Sequence, residues 1–416
     1  MPSRLQQHLD WLTVWVCGTC IALLAGDVVI GSYNAGLPMI KPSLFTPMVF
    51  MLCMGVCVLS TPRFCLPAFL FAALPVMRLL DVAVLGRFVS SGNHDMTMNC
   101  LRILLVVVAM LAVLSCPQGL KAMRWAAILT ILLTSGSSIA EFLGVAKFSS
   151  IPGRFSGFNG HPNSPPIVLC QCLGLCFALV GSFRWNVALI AAAMPGVALT
   201  YGRSGMVIYA FLAGTYILLN ARRHLGFLMV CGYAVVPLVI GGFAIMQQRT
   251  GDGVTKNKNT ADRLEAIYNL DFDKLKSPER AKDLGDAWEA VMKEPVFGYG
   301  VGAASSRWAP HNEYVAMWLE LGLPGLLVYL LTIYGPVLRS LMCGGKAGYA
   351  VIAVLLYSPI AQGRIMDPHF YFTLLTAAHI LWPQRFRLVA RNQPDVTATS
   401  PTMPASQPVH PMARRG

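Results

Sequence analysis

The stretch SPERAKDLGDAWEAVMKEPVFGYGVGAASSRWAPHNEYVAMWLELGLPGLL, residues 277–327, begins as a charged, water-compatible segment and ends inside an apolar one. Ser277 followed by Pro278 and Glu279 predicts a helix start, with an N-cap serine and proline at the first helical position. Ala281, Leu284, Ala287, Trp288 and Val291 then recur at three- and four-residue steps, giving that helix one apolar face. Past Pro310 the chain turns apolar and stays so to about residue 340, long enough to enter and cross a ~30 Å hydrocarbon layer. Arg280, Arg307 and His311 stand at the junction of the two regimes.

Working outward, the same apolar character dominates the chain. Of its 416 residues 55% are hydrophobic and only 12% charged, whereas an ordinary soluble protein is roughly a quarter charged. Apolar runs of membrane-spanning length recur and do not alternate in the manner of β-barrel strands. The expectation is an all-α polytopic membrane protein. Twelve spans are predicted, at about 11–30, 43–60, 64–86, 97–115, 122–146, 164–183, 185–201, 204–220, 225–246, 312–340, 347–361 and 369–384. The first run lacks a small-residue cleavage site and is read as a retained helix. Residues 1–246 thus hold spans 1–9, residues 247–311 a small helical periplasmic lobe, and residues 312–384 spans 10–12. Residues 385–416, rich in Pro, Thr, Ser and Ala, form a disordered cytoplasmic tail.

Orientation follows from the basic residues of the short loops. With the N-terminus cytoplasmic, Arg63, Lys121, Arg124, Arg184, Arg222, Arg223, Arg339 and Lys346 fall inside, as do Arg385, Arg387, Arg391, Arg414 and Arg415 of the tail. Much of the formal charge of +13 is then a topological signal and a lipid contact, and nucleic-acid binding is not implied. The segment from Gln247 to Pro310 falls on the outer side. It carries 10 of the 19 acidic residues and 10 basic ones, so it is locally neutral. Most of the twelve cysteines lie in apolar runs and read as small packing residues, with no disulfide framework. Cys17 and Cys20 have redox spacing but no thioredoxin-like surroundings.

Basic residues that topology does not require are the informative ones. On the outer side these are Lys41, Arg87, Lys147, Arg154, Arg203, Arg263, Arg280, Arg307 and Arg364, several within a few residues of a membrane boundary. Guanidinium forks match phosphate oxygens bidentately, so this grouping suits a dianionic head group at the lipid surface. Interfacial arginines also snorkel to bulk lipid phosphates. Arg203, set in Tyr201-Gly202-Arg203-Ser204-Gly205 with no spacer to either helix, favours a site. His311, between Pro310 and Asn312, is either a cap residue or a base. An ordinary imidazole pKa near 6.5 leaves it able to take a proton from a hydroxyl at pH 7.

Other signals are weaker. Gly298, Gly300 and Gly302 read as a flexible turn, since no strand precedes them. Asp271 and Asp273 resemble a nucleotide-sugar metal pair, yet the loop is too short for a nucleotide-binding domain. Arg78 and Asp81, one turn apart, are expected to pair with each other. Asp27 and Glu141 are intramembrane acids, each a site or an ion-pair partner.

The pattern Arg280 … Trp288 … Pro295, Gly298, Gly300 … His311-Asn312 … Glu320, Gly322, Gly325 resembles the signature of the O-antigen ligase and polymerase family of bacterial envelope proteins. Arg154, Gly157, His161 and Asn163 resemble that family's element before the sixth span, and Arg203 its arginine at the mouth of the eighth. The resemblance covers residues 150 to 327. One departure is that Arg280 lies two turns before Trp288 where one is usual, which makes Arg263 a rival for that role.

The resemblance implies a GT-C-like membrane glycosyltransferase. It would move a glycan from undecaprenyl diphosphate to the lipid A core oligosaccharide at the periplasmic face of the inner membrane. The polymerase and protein-glycosylating branches share the motif. The site residues implied are His311 as base with Arg280 and Arg203 on the leaving diphosphate. Arg154, His161, Asn163, Asn312, Arg263, Arg307 and Arg364 would contact substrate. No metal or other cofactor is expected, and the lipid-linked glycan, the acceptor and phospholipid are the partners. A lipid-linked glycan transporter is the competing class, but no internal repeat is evident and the candidate residues cluster at one face.

Overall fold

A computed structural model describes residues 4–37, 40–60, 62, 63, 65–88, 93–221, 224, 226–228, 278–343 and 345–382. Regular structure among these is helical apart from one isolated bridge, Phe88 to Val301. Taken in chain order, α1 is Arg4–Ala25, α2 Val28–Asn34, α3 Pro42–Leu59, α4 Ala73–Ala83, α5 Asn93–Ser115 and α6 Gly119–Phe142. Then come α7 Ser164–Leu179, α8 Phe183–Ala198, α9 Arg203–Ala221, α10 Pro278–Lys293, α11 Glu313–Cys343, α12 Gly348–Tyr357 and α13 Pro368–Leu381.

Six of these, α1, α3, α5 (from Met96), α6, α9 and α11, are long and apolar enough to cross a membrane. Their outward faces carry unbroken apolar stripes, such as Val207, Phe211 and Leu218 on α9 and Leu327, Leu331, Leu338 and Leu341 on α11. Apolar exposure of that extent needs lipid around it. The chain is a polytopic helical membrane protein. The shorter helices α7, α8, α12 and α13 lie at expected spans, whereas the span expected at 225–246 lies almost wholly outside the described residues, as do Asp271 and Asp273. Two expected spans are interrupted. Asp27, in left-handed backbone at φ 53°, separates α1 from α2, and the third begins as the 3-10 turn Leu66–Ala72.

The centre of the bundle is α7, buried from Pro165 through Phe177 and packed on α6, α8, α9, α12 and α13. Without water inside a bilayer, close backbone approach and buried hydrogen bonds hold helices together. Gly174 provides the approach: a methyl there would lie 2.6 Å from the Ala350 Cα of α12. Thr373 of α13 donates to Gln171 of α7 at 3.3 Å. The described cysteines are unbridged and nearly all buried, in line with their packing role.

The expected pairing of Arg78 with Asp81 is corrected. Arg78 on α4 pairs with Glu320 on α11 at 2.6 Å, both buried, while Asp81 receives Arg87 Nε at 2.8 Å. Glu320 also accepts the Gly302 N–H at 3.0 Å, and its carbonyl accepts that of Gly300 at 2.9 Å. The glycine-rich turn read as flexible is therefore fastened to α11. Gly322 makes this possible. It breaks α11 at φ 66°, and a Cβ there would fall 2.0 Å from the Val296 carbonyl oxygen.

Candidate active site

One end of the bundle holds a cavity of about 640 Å³, within the range that encloses a small ligand. Its walls come from five separated segments: His161, Asn163 and Ser164; Gly202, Arg203 and Ser204; Arg280; His311; and Tyr357 and Ile360 to Gly363 with Asp367. Five residues singled out in the sequence, His161, Asn163, Arg203, Arg280 and His311, thus face one volume. The two guanidinium groups repel one another across it, an arrangement that an anion placed between them would relieve.

The first wall is built from Glu141 at the end of α6. One carboxylate oxygen accepts the N–H groups of Phe148 and Ser149 at 2.7 and 2.5 Å, the other those of Ser156 and Gly157 at 2.7 and 3.0 Å. Neither alternative considered for this acid holds. It is a buried anchor that gathers residues 148–157 by four backbone donors. That loop carries Arg154, whose Nε donates to the Thr200 carbonyl at 2.6 Å and whose Nη2 donates to Asn163 Oδ1 at 3.0 Å. Arg154 is 4% exposed. It ties the Asn163 wall to the turn before Arg203 and does not line the cavity. His161 Nδ1 accepts the Asn163 N–H at 3.2 Å.

On the opposite wall, Ala309 and His311 both adopt left-handed backbone, at φ 43° and 51°. Each costs a non-glycine residue roughly 1–2 kcal/mol, and such strain persists only where surrounding contacts enforce it. Here the His311 N–H donates to Gln362 Oε1 at 2.5 Å, and Gln362 Nε2 donates to the Ala304 carbonyl at 3.4 Å. Burial and the nearby charge of Arg280 lower the His311 pKa from its ordinary value, with Asp283 opposing them. Arg280 and Asp283 are one turn apart on α10 and so share a side of it. The imidazole is consequently neutral at pH 7. Glu313, the neighbour in sequence, is fully buried and donates its N–H to the Ser358 carbonyl at 2.8 Å.

Several sequence-chosen residues lie elsewhere. Asn312 caps α11, its Oδ1 accepting the N–H groups of Tyr314 and Val315 at 3.0 and 3.2 Å. The exposed Arg307 lays its guanidinium over Trp308, 4.5 Å from the ring centroid, away from the cavity. Arg364 opens the 3-10 turn Arg364–Met366 that follows the cavity-lining Gly363. Arg263 lies outside the described residues. Sequence reasoning missed Gln362 and Asp367, although both belong to the polar run around Arg364 between two apolar segments. Asp367 lines the cavity with the buried His369 behind it at 3.7 Å.

Fold and site together define a helical membrane protein with a cation-lined cavity at one end of its bundle. Residues 187–330, about a third of the chain, match the family model described as O-antigen ligase. The match encloses Arg203, Arg280 and His311, whereas the walls built by Asn163 and Gln362 fall outside it. No curated protein matches the chain significantly in sequence.

Proposed function

We propose that the protein is an O-antigen ligase, transferring a glycan from undecaprenyl diphosphate to the lipid A core oligosaccharide and so completing lipopolysaccharide. The observation that supports this is the convergence of Arg203, Arg280 and a neutral His311 on one cavity. A lipid diphosphate is already an activated donor with a good leaving group. What remains is to neutralise charge on that leaving group and to accept a proton from the acceptor.

Arg203 and Arg280 bind the diphosphate, and the acceptor hydroxyl attacks the anomeric carbon from the opposite side. The bond from that carbon to the phosphate oxygen breaks, its electron pair leaves with the diphosphate, and the hydroxyl proton passes to His311. A single displacement inverts the anomeric centre. Preorganised charge on a leaving group is commonly the largest catalytic contribution, and a placed base adds about 10²–10⁴-fold. No nucleotide or metal cofactor enters these steps. Loop charge supports a bacterial inner-membrane location with both termini cytoplasmic and the cavity towards the periplasm. Residues 247–311 form the periplasmic lobe between spans 9 and 10 in this reading, and twelve spans make up the whole bundle.

Lipopolysaccharide from a strain lacking the gene tests the assignment. Loss of polymer from lipid A core, with lipid-linked polymer accumulating, is the expected result. Cores capped by single repeats would mean a polymerase, and an unglycosylated protein acceptor the protein-glycosylating branch.

A further inference from the structure

Helix α10 carries more apolar surface than the bundle covers. Ala287, Ala290 and Val291 are buried against α11 and the turn at Ala303 and Ala304. A second strip, Ala281, Gly285, Trp288 and Met292, runs along the helix at four- and three-residue steps and is exposed throughout. It continues into Val296 and Phe297, the latter 66% exposed.

What lies beside this strip says what covers it. Leu323 of α11 donates its N–H to the Pro295 and Val296 carbonyls at 3.1 and 3.2 Å, and Arg87 Nη1 donates to the Phe297 carbonyl at 3.0 Å. Val296 and Phe297 therefore sit between the ends of two helices with apolar outward faces. One is α11, through Leu323, Leu327 and Leu331, and the other α4 with the turn that follows it, through Leu80, Val84 and Leu85. Height agrees. The 31 residues of α11 would measure roughly 46 Å, against ~30 Å of hydrocarbon. Counting back from its other end, some twenty residues reach the kink at Gly322, so Val296 and Phe297 lie at the boundary of the apolar layer.

We infer that α10 is seated in the membrane interface, with Trp288, Met292, Val296 and Phe297 in the acyl boundary of the leaflet on the cavity's side. Its partner on this edge is phospholipid. Glu289, Lys282 and Lys293 occupy the next strip around the helix, where the ammonium groups meet lipid phosphate, and the exposed Asp286 lies further round. The consequence is that the bilayer sets the height of the helix presenting Arg280 and Asp283 to His311. This holds whatever reaction the cavity performs, because the evidence for it is the packing of α10 alone.

Nitroxide labels on single added cysteines test it, in Met292→Cys, Phe297→Cys and Asp286→Cys, with the parent protein's signal subtracted. The full chain is reconstituted in phosphatidylethanolamine/phosphatidylglycerol vesicles, and collisions with oxygen and with an aqueous nickel chelate are compared. Labels at 292 and 297 are expected to show a several-fold higher oxygen-to-nickel ratio than the label at 286. Equal nickel access at all three positions would overturn the inference by placing the strip in water. Shielding of 292 and 297 from both relaxants would overturn it too, by placing protein there. All three are exposed positions on a folded helix or its end, so labelling leaves the fold intact.

Discussion

The backbone N–H of His311 donates to the side-chain oxygen of Gln362 at 2.5 Å, joining the left-handed turn before α11 to the loop after α12. The imidazole's position therefore depends on a residue that does nothing chemical itself. Gln362→Ala removes the acceptor and frees a strained turn. A displacement of about 1 Å at a reacting group costs on the order of 10²-fold. The expected result is a fall of that size in kcat with donor KM little changed. Unchanged kcat would mean that the turn holds itself.

Arg78 and Glu320 form a buried pair at 2.6 Å that also anchors the Gly298–Gly302 turn. Removing one partner strands a charge, so Glu320→Ala should destabilise the protein by about 3–5 kcal/mol. Arg78→Leu with Glu320→Leu should recover much of that loss, because neither charge remains buried. Thermal unfolding in one detergent checks both, and a wild-type Tm for Glu320→Ala would contradict the structural role.

That pair also shows where sequence reading stops. Spacing along one helix reveals only neighbours one turn apart, so Arg78 and Asp81 looked like partners. The competing carboxylate, Glu320, comes from a distant helix at the same depth and is invisible to spacing. Long helices such as α3, α5, α6 and α9 were legible because a bilayer demands only length and apolarity. The breaks at Asp27 and Gly322 depend on tertiary contacts and were not. Arg203, Arg280 and His311 stood out as polar groups at a membrane boundary within a familiar pattern. Asn312, in the same pattern, proved a helix cap, and Gln362 lacked the charge that draws attention.

Glu141 is predicted to tolerate no neutral replacement. Its two oxygens each accept two backbone N–H groups. A glutamine would keep one acceptor and turn an NH₂ towards the other two donors. Glu141→Gln should therefore behave nearly as badly as Glu141→Ala, raising donor KM as Arg154 and Asn163 lose their placement. Glu141→Asp, which keeps both oxygens, should recover part of the function. Wild-type kinetics in Glu141→Gln would show that the loop stands without its anchor.

The pH dependence carries a definite sign. Burial and Arg280 lower the His311 pKa, and Asp283 raises it. A base works when unprotonated, so the transfer rate should rise with pH through an inflection below about 6.5 and then level off. Asp283→Asn removes the opposing charge, and its inflection should move to lower pH. A shift to higher pH, or none, would mean that another group controls the rate.

Single-turnover transfer by His311→Asn reaches the central claim most directly. Purified protein is given lipid-linked donor and acceptor, with no nucleotide and with excess chelator, and donor binding is measured alongside. Asparagine tolerates left-handed backbone and preserves capping ability, so the turn survives while the base is lost. The account predicts donor binding close to wild type and transfer reduced by about 10²–10⁴-fold. Substantial transfer by His311→Asn would contradict it.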